Sequence, residues 1–245
     1  MTAQFWLWLD TVVMVAGGLV LLLMGKRRTK GEEGHMIFHG IVPIIAACSY
    51  FAMAVGQGSI LLPVGAATRV FYFARYVDWT FTTPLLLLTL GTTAQHSGVR
   101  RPEAIAGMIL ADVIMILTAL FFGLSVVPWI KWTWFVISCA AFLGVYYVIW
   151  VSLMRENAAE RDDVRATYRR NASFLSVVWL LYPVVLFFST DGTGIFGTAA
   201  SVGCIAVLDL IAKVVFGFMS VGTNTKIVDR DLAERPAQPA MRRAA

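Results

Sequence analysis

Of the long apolar runs in this chain, one contains a lysine, Lys213, and Asp209 stands four residues before it. Residues four apart share a helix face. An amine held in apolar surroundings can condense with an aldehyde to give a Schiff base. A second run holds Arg75, Asp78 and Thr82, three and four apart and so also on one face. The two cations and two carboxylates sum to zero, which is how an apolar bundle can hold a buried amine. Ionisable groups cost about 2.5–3.5 kcal/mol each at the centre of a spanning helix. Buried ion pairs are also a poor source of stability, so a purely structural cluster is the weaker reading. Rings fall in the same set of runs: Trp79, Trp134, Phe142, Trp179 and Tyr182. An apolar slot with one covalent anchor and two counter-ions suits a long polyene aldehyde.

The elements that must position these groups follow from composition. The 245 residues are 58% hydrophobic and 14% charged, against about 25% charged in soluble domains. The mean hydropathy is +0.73. A soluble enzyme, a disordered chain and a disulfide scaffold are excluded. The runs are continuously apolar rather than alternating, which excludes a transmembrane barrel. Seven runs are long enough to span a bilayer: 5–24, 36–56, 67–92, 104–127, 132–153, 171–189 and 194–219. The fold class is therefore all-α, a seven-transmembrane-helix bundle. The first run lacks a basic leader and a cleavage site, so it reads as a span rather than a signal peptide. The bundle is expected over 1–222, with a disordered tail over 223–245. Cys48, Cys139 and Cys204 share no ligand spacing, and no metal site is expected.

Lysine and arginine set the orientation. Sixteen fall in the loops after spans one, three and five and in the tail, among them Lys26, Arg100, Arg161 and Lys226. Only Arg69 and Lys131 fall in the opposite loops. The N-terminus is expected outside and the C-terminus in the cytoplasm. The net charge of +5 is thus a topology signal, and nucleic acid is not an expected partner.

The strings Arg75–Leu88, Trp179-x-x-Tyr182-Pro183 and Leu208-Asp209-x-x-Ala212-Lys213 resemble the microbial rhodopsins, above all the bacteriorhodopsin type. The likeness runs over all seven spans. It implies all-trans retinal bound covalently through Lys213, and a light-driven transporter rather than an enzyme. It implies Asp78 as counter-ion and proton acceptor, Asp209 as second counter-ion and Arg75 as the gate on the extracellular side. Thr82 would hydrogen-bond the Asp78 carboxylate. Trp79 and Trp179 would sandwich the polyene beside Tyr182, with Thr83, Leu86, Asp112, Trp134 and Phe142 completing the pocket. Asp112 matches a family carboxylate that would pair with Thr83, and apolar Leu86 matches green-absorbing members.

The chain departs from the family pattern at several points. Thr89 lies 11 residues beyond Asp78, about 16.5 Å along a helix, at the position where a pump commonly carries a carboxylate donor. His39, one turn inside the second span, is the candidate substitute, because an imidazole titrates near neutral pH. His35 and His96 read as loop residues. Asp191 marks a candidate proton-release region, while Ser201 stands where archaeal pumps carry a second carboxylate. Asp10 reads as an interface residue that reaches the headgroups. Phe135 fills a position that is glycine in antenna-binding relatives, so a carotenoid antenna is not expected.

The resemblance implies an outward proton pump in a prokaryotic plasma membrane, with retinal, protons and the lipid bilayer as partners and a homotrimer or homopentamer as its assembly. A sensory photoreceptor is the alternative. It would signal through a separate transducer, and the missing donor at Thr89, which prolongs the excited cycle, is what favours it.

Overall fold

The computed structural model describes residues 1–25, 30–97 and 101–234, without side-chain detail at 25 and 30–33. The first two spans are α1 (Ala3–Gly25) and α2 (Lys30–Ala54). A hairpin of β1 (Ile60–Val64) and β2 (Ala67–Phe71) leads into α3 (Ala74–Ala94), and α4 (Pro102–Leu124) follows. The fifth span runs as α5 (Pro128–Tyr147), a π-helical segment at Val148–Leu153 and α6 (Met154–Asn157). The sixth is α7 (Asp162–Phe188). The seventh is α8 (Thr198–Asp209), a π-helical segment at Leu210–Val215 and α9 (Phe216–Glu234).

Six of the seven spans are long and apolar enough to cross a membrane. The other, α3, gives up apolar length to Arg75, Asp78 and six threonines. Pro102 and Pro128 open α4 and α5, where a missing N–H costs nothing. Pro43, Pro84 and Pro183 lie inside helices, where neighbouring spans can satisfy the freed carbonyls. Sequential helices pack side by side and α8 closes the ring against α1. Gly18 and Gly40 bring α1 and α2 close: a Cβ on Gly18 would sit 2.8 Å from Ile44, and one on Gly40 2.6 Å from Leu22. Large apolar side chains such as Phe81, Leu110, Leu143 and Val177 face outward, the surface a bilayer solvates.

Four boundaries differ from the sequence expectation. Residues 67–71 are strand rather than the start of the third span. Gly65 adopts φ +61° in the two-residue turn between Val64 and its partner Ala67, so the chain reverses there and pairs with itself. The sixth span begins at Asp162, nine residues early, which moves Arg165, Arg169 and Arg170 from loop to helix. His35 lies within α2. Residues 224–234, expected to be disordered, continue α9 as helix. Their side chains are held by ion pairs: Asp231 meets His96 at 2.8 Å and Arg161 at 2.7 Å, and Arg230 meets Glu234 at 2.7 Å. The rest of the expected tail, with Arg235, Pro236, Pro239, Arg242 and Arg243, lies outside the described residues, as do Lys26–Arg28 and Arg100.

Candidate functional site

Lys213 sits in the π-helical segment that interrupts the seventh span. A π turn inserts a residue and shifts the faces of the helix on either side of it, a device frequent at functional sites. Lys213 Nζ lies 2.5 Å from Asp78 Oδ2 and 3.1 Å from Asp209 Oδ1, with all three side chains almost wholly buried. Three further donors hold Asp209. Tyr50 OH donates to Oδ2 at 2.8 Å, while Trp79 Nε1 and Tyr182 OH donate to Oδ1 at 3.1 and 2.7 Å. Four helices therefore converge on one carboxylate. Asp78 has less support, and its Oδ1 has no hydrogen-bond partner among the described residues. The Thr82 hydroxyl donates to the Asp78 main-chain carbonyl at 2.9 Å and also lies against the Asp78 carboxylate. A helical threonine finds the i−4 carbonyl within reach. Asp209 is thus held by a preorganised shell, whereas Asp78 keeps an open oxygen beside the amine.

Arg75 is buried, and its Nε and Nη2 have no protein partner. Its guanidinium carbon lies 5.5 Å from the centroid of the Tyr72 ring. Beyond it, Asp191 is buried rather than a solvated loop residue. Arg69 of β2 reaches Asp191 at 2.5 Å and also donates to the Gly123 carbonyl. Tyr76 OH donates to the other Asp191 oxygen at 3.3 Å. Burial pushes the Asp191 carboxyl above the ordinary carboxylate range, against the pull of Arg75 and Arg69. Lys131 Nζ donates to the Gly192 carbonyl at 3.1 Å, so the two cations assigned to this end both hold the same loop.

An apolar slot opens from Lys213 between α3, α4, α5, α7 and the seventh span. Trp79, Thr83, Leu86, Phe142, Trp179 and Tyr182 line it as expected. Trp134 does not: its ring packs on Phe121, with centroids 5.1 Å apart, and Phe135, Ser138 and Cys139 line the wall instead. Asp112 stands behind the wall, accepting from the Thr83 hydroxyl at 2.6 Å. The lining is almost wholly apolar apart from the anchor end. That distribution fits a long apolar aldehyde joined to Lys213, and the unpaired Asp78 Oδ1 marks a polar atom waiting at the point of attachment.

On the other side of the lysine the chain is apolar. Leu86, Leu90, Trp179 and Phe216 belong to one buried cluster. Thr89 is buried, and its hydroxyl donates to the Leu86 carbonyl at 2.8 Å. His39 is fully buried with neither ring nitrogen paired among the described residues. Its ring meets His35 at 4.8 Å and Phe216 at 5.6 Å. His35 lies 3.2 Å from the Ser220 hydroxyl, which also accepts from Asn171 at 3.4 Å. Sequence reasoning missed His35 as a neighbour of His39, though their spacing of four was the available signal. It also missed Tyr50, a lone tyrosine in an apolar run, and Arg69.

Seven packed helices, a buried lysine between two carboxylates and an aromatic cavity leading away from it define a membrane protein built around a buried amine. Residues 1–227 match the family model of bacteriorhodopsin-like proteins, and the chain belongs to that family of microbial rhodopsins. It is 39% identical over 240 residues to a bacteriorhodopsin of Haloterrigena sp. (strain arg-4), covering 96% of this chain and 91% of that one. It is 33% identical over 234 residues to archaerhodopsin-2 of Halobacterium sp. (strain aus-2), covering 95% and 89%. Among solved structures, the thermophilic rhodopsin of Rubrobacter xylanophilus superimposes with a TM-score of 0.88 at 36% identity, covering 93% of this chain and 98% of that one. The Coccomyxa subellipsoidea rhodopsin, described as a light-driven proton pump, gives 0.84 at 30% identity over 89% and 95%.

Proposed function

We propose that this protein is a light-driven outward proton pump of the plasma membrane, with all-trans retinal bound through Lys213. The observation that carries the reading is the Lys213–Asp78 contact of 2.5 Å beside an Asp209 already held by three donors. Retinal attached there would supply light absorption and a light-driven change of shape at the Lys213 nitrogen. Trp79, Trp179 and Tyr182 would hold the polyene, and Leu86 and Phe142 would exclude water around it.

The chain's own groups then decide where the proton goes. Opposite charge keeps the Lys213 nitrogen protonated in the dark. Asp78 takes that proton, since its oxygen is nearest and its second oxygen is free. Asp209 is already engaged by three hydrogen bonds, which leaves Asp78 as the carboxylate free to take the proton. Arg75 separates this pair from Asp191, Arg69 and Tyr76, the polar groups at the end we assign to the outside. The return proton crosses the Leu86–Phe216 layer. Thr89 can supply none, and His39, buried and unpaired, is the group that relays it. The distribution of lysine and arginine supports a cytoplasmic C-terminus. The exposed apolar belt fits a bilayer and an assembly of several copies.

Cells expressing the protein with retinal, illuminated without buffer, are expected to acidify the medium, and a protonophore should abolish the signal. Lys213→Ala should give colourless cells and no signal. A coloured pigment with a flat trace would reject pumping and favour a sensor.

A further inference from the structure

The account above leaves one buried acid unused. Asp10 of α1 is fully buried, and neither of its carboxyl oxygens has a hydrogen-bond partner within the described residues. It does not reach toward a headgroup region, as its position near the start of the first span had implied. The α1 helix packs on α2, α8 and the π-helical segment. The titratable groups that face Asp10 from these elements are Tyr50 from α2, Asp209 from α8 and Lys213 from the π-helical segment. The Tyr50 hydroxyl, which gives its proton to Asp209 at 2.8 Å, is also the group within reach of Asp10.

Charge counting fixes the state of this acid. Lys213 and Arg75 balance Asp78 and Asp209, all buried. A third carboxylate would have no counter-charge among these groups, and an uncompensated buried charge is neutralised by keeping its proton. Transfer of a proton from Lys213 to Asp78 leaves the sum unchanged, so the argument holds before and after that step. A neutral carboxyl has an O–H to donate, and the Tyr50 oxygen has lone pairs free once its own proton is given to Asp209. Bonds aligned head to tail polarise one another.

We propose that Asp10 is a third carboxyl of the Lys213 site, a positioning residue that holds its proton while Asp78 and Asp209 are charged and acts on Asp209 through the Tyr50 hydroxyl. Loss of the Asp10 proton in alkali would leave a negative charge beside Asp209. It would also turn the Tyr50 hydroxyl between two carboxylates. The added charge favours a positive charge held at the Lys213 nitrogen, which moves absorption to shorter wavelength. Only this colour readout rests on the reading of Lys213 as the chromophore anchor.

The test uses full-length protein in lipid, first without retinal. Infrared spectra of the wild type are expected to contain a protonated-carboxyl C=O band at neutral pH, above ordinary carboxyl titration, that is lost in alkali. Asp10→Asn should lack it, Asp112→Asn should retain it, and Tyr50→Phe should shift its frequency without removing it. With retinal added, the wild type should move to shorter wavelength in alkali, and Asp10→Asn should not. An infrared band unchanged in Asp10→Asn, or an alkaline colour change equal in the two proteins, would overturn the proposal. Asp10→Glu, which keeps the acid, should restore both signals if Asp10→Asn folds poorly. Failure of every variant and of the wild type to form a pigment would instead reject the Lys213 reading, and the retinal-free infrared comparison would still decide the role of Asp10.

Discussion

The two sides of Lys213 are built from different materials. Toward the hairpin end lie Asp78, Asp209, Arg75, Asp191 and Arg69, with tyrosines between them. Toward the opposite end lie Leu86, Leu90 and Phe216, and α3 carries no acidic residue after Asp78. Polar groups there, Thr89, His39, His35, Asn171 and Ser220, are neutral or weakly basic and sit beyond an apolar layer. The first side offers an acceptor at hydrogen-bond distance. The second offers a barrier. On the proposed function, that asymmetry would give direction to a proton released from the lysine nitrogen: departure would be a short step between fixed groups, and return would need a pathway through apolar packing.

The comparison can be broken most severely at the acceptor. Asp78→Asn removes the charge nearest Lys213 and should slow loss of the nitrogen proton by about 10²–10⁴-fold, the range for a positioned proton-transfer group. The pigment should also shift to longer wavelength. Flash absorption spectroscopy reads both. On the apolar side, His39→Ala should slow recovery of that proton by about 10²-fold, the lower end of the same range, without slowing its loss. An unchanged recovery would remove His39 from the return path.

The smallest effect is expected at the hairpin. Arg69→Ala removes the ion-pair partner of buried Asp191 and leaves it Arg75, Lys131 and the Tyr76 hydroxyl. Thermal stability in membranes should fall by about 2–3 kcal/mol, less than the ~3–5 for breaking a fully buried pair, because Arg69 keeps some exposure. The sign with pH follows from the upward displacement of the Asp191 carboxyl. Without Arg69 it is displaced further, so the acid form suits the folded site and the charged form opposes it. The penalty should be least in acid and grow as pH rises through the Asp191 titration.

Much of the site was legible because a helix converts spacing into a shared face. The intervals Arg75–Asp78–Thr82 and Asp209–Lys213 needed only the helical period. What escaped depends on neighbours that sequence does not order. Thr82 was given to a carboxylate alone, and its hydroxyl also bonds the carbonyl one turn back. Trp134 was put in the cavity although its rotation on α5 turns it toward Phe121. The π-helical segment at Lys213 has no proline or glycine within it to signal it. Asp10 read as an interface residue and is buried, because burial of a group near a helix end is decided by what packs over it. The hairpin at 60–71 was hidden by continuous apolar character, although Gly65 flanked by β-branched and apolar residues was a turn signal.

The most direct test is time-resolved infrared spectroscopy of the illuminated pigment, followed together with visible absorption. A protonated-carboxyl band should rise as the Lys213 nitrogen loses its proton, and should be absent in Asp78→Asn. A nitrogen that loses its proton at the same rate in Asp78→Asn, with the same carboxyl band rising, would contradict the assignment of Asp78 as the group that receives it.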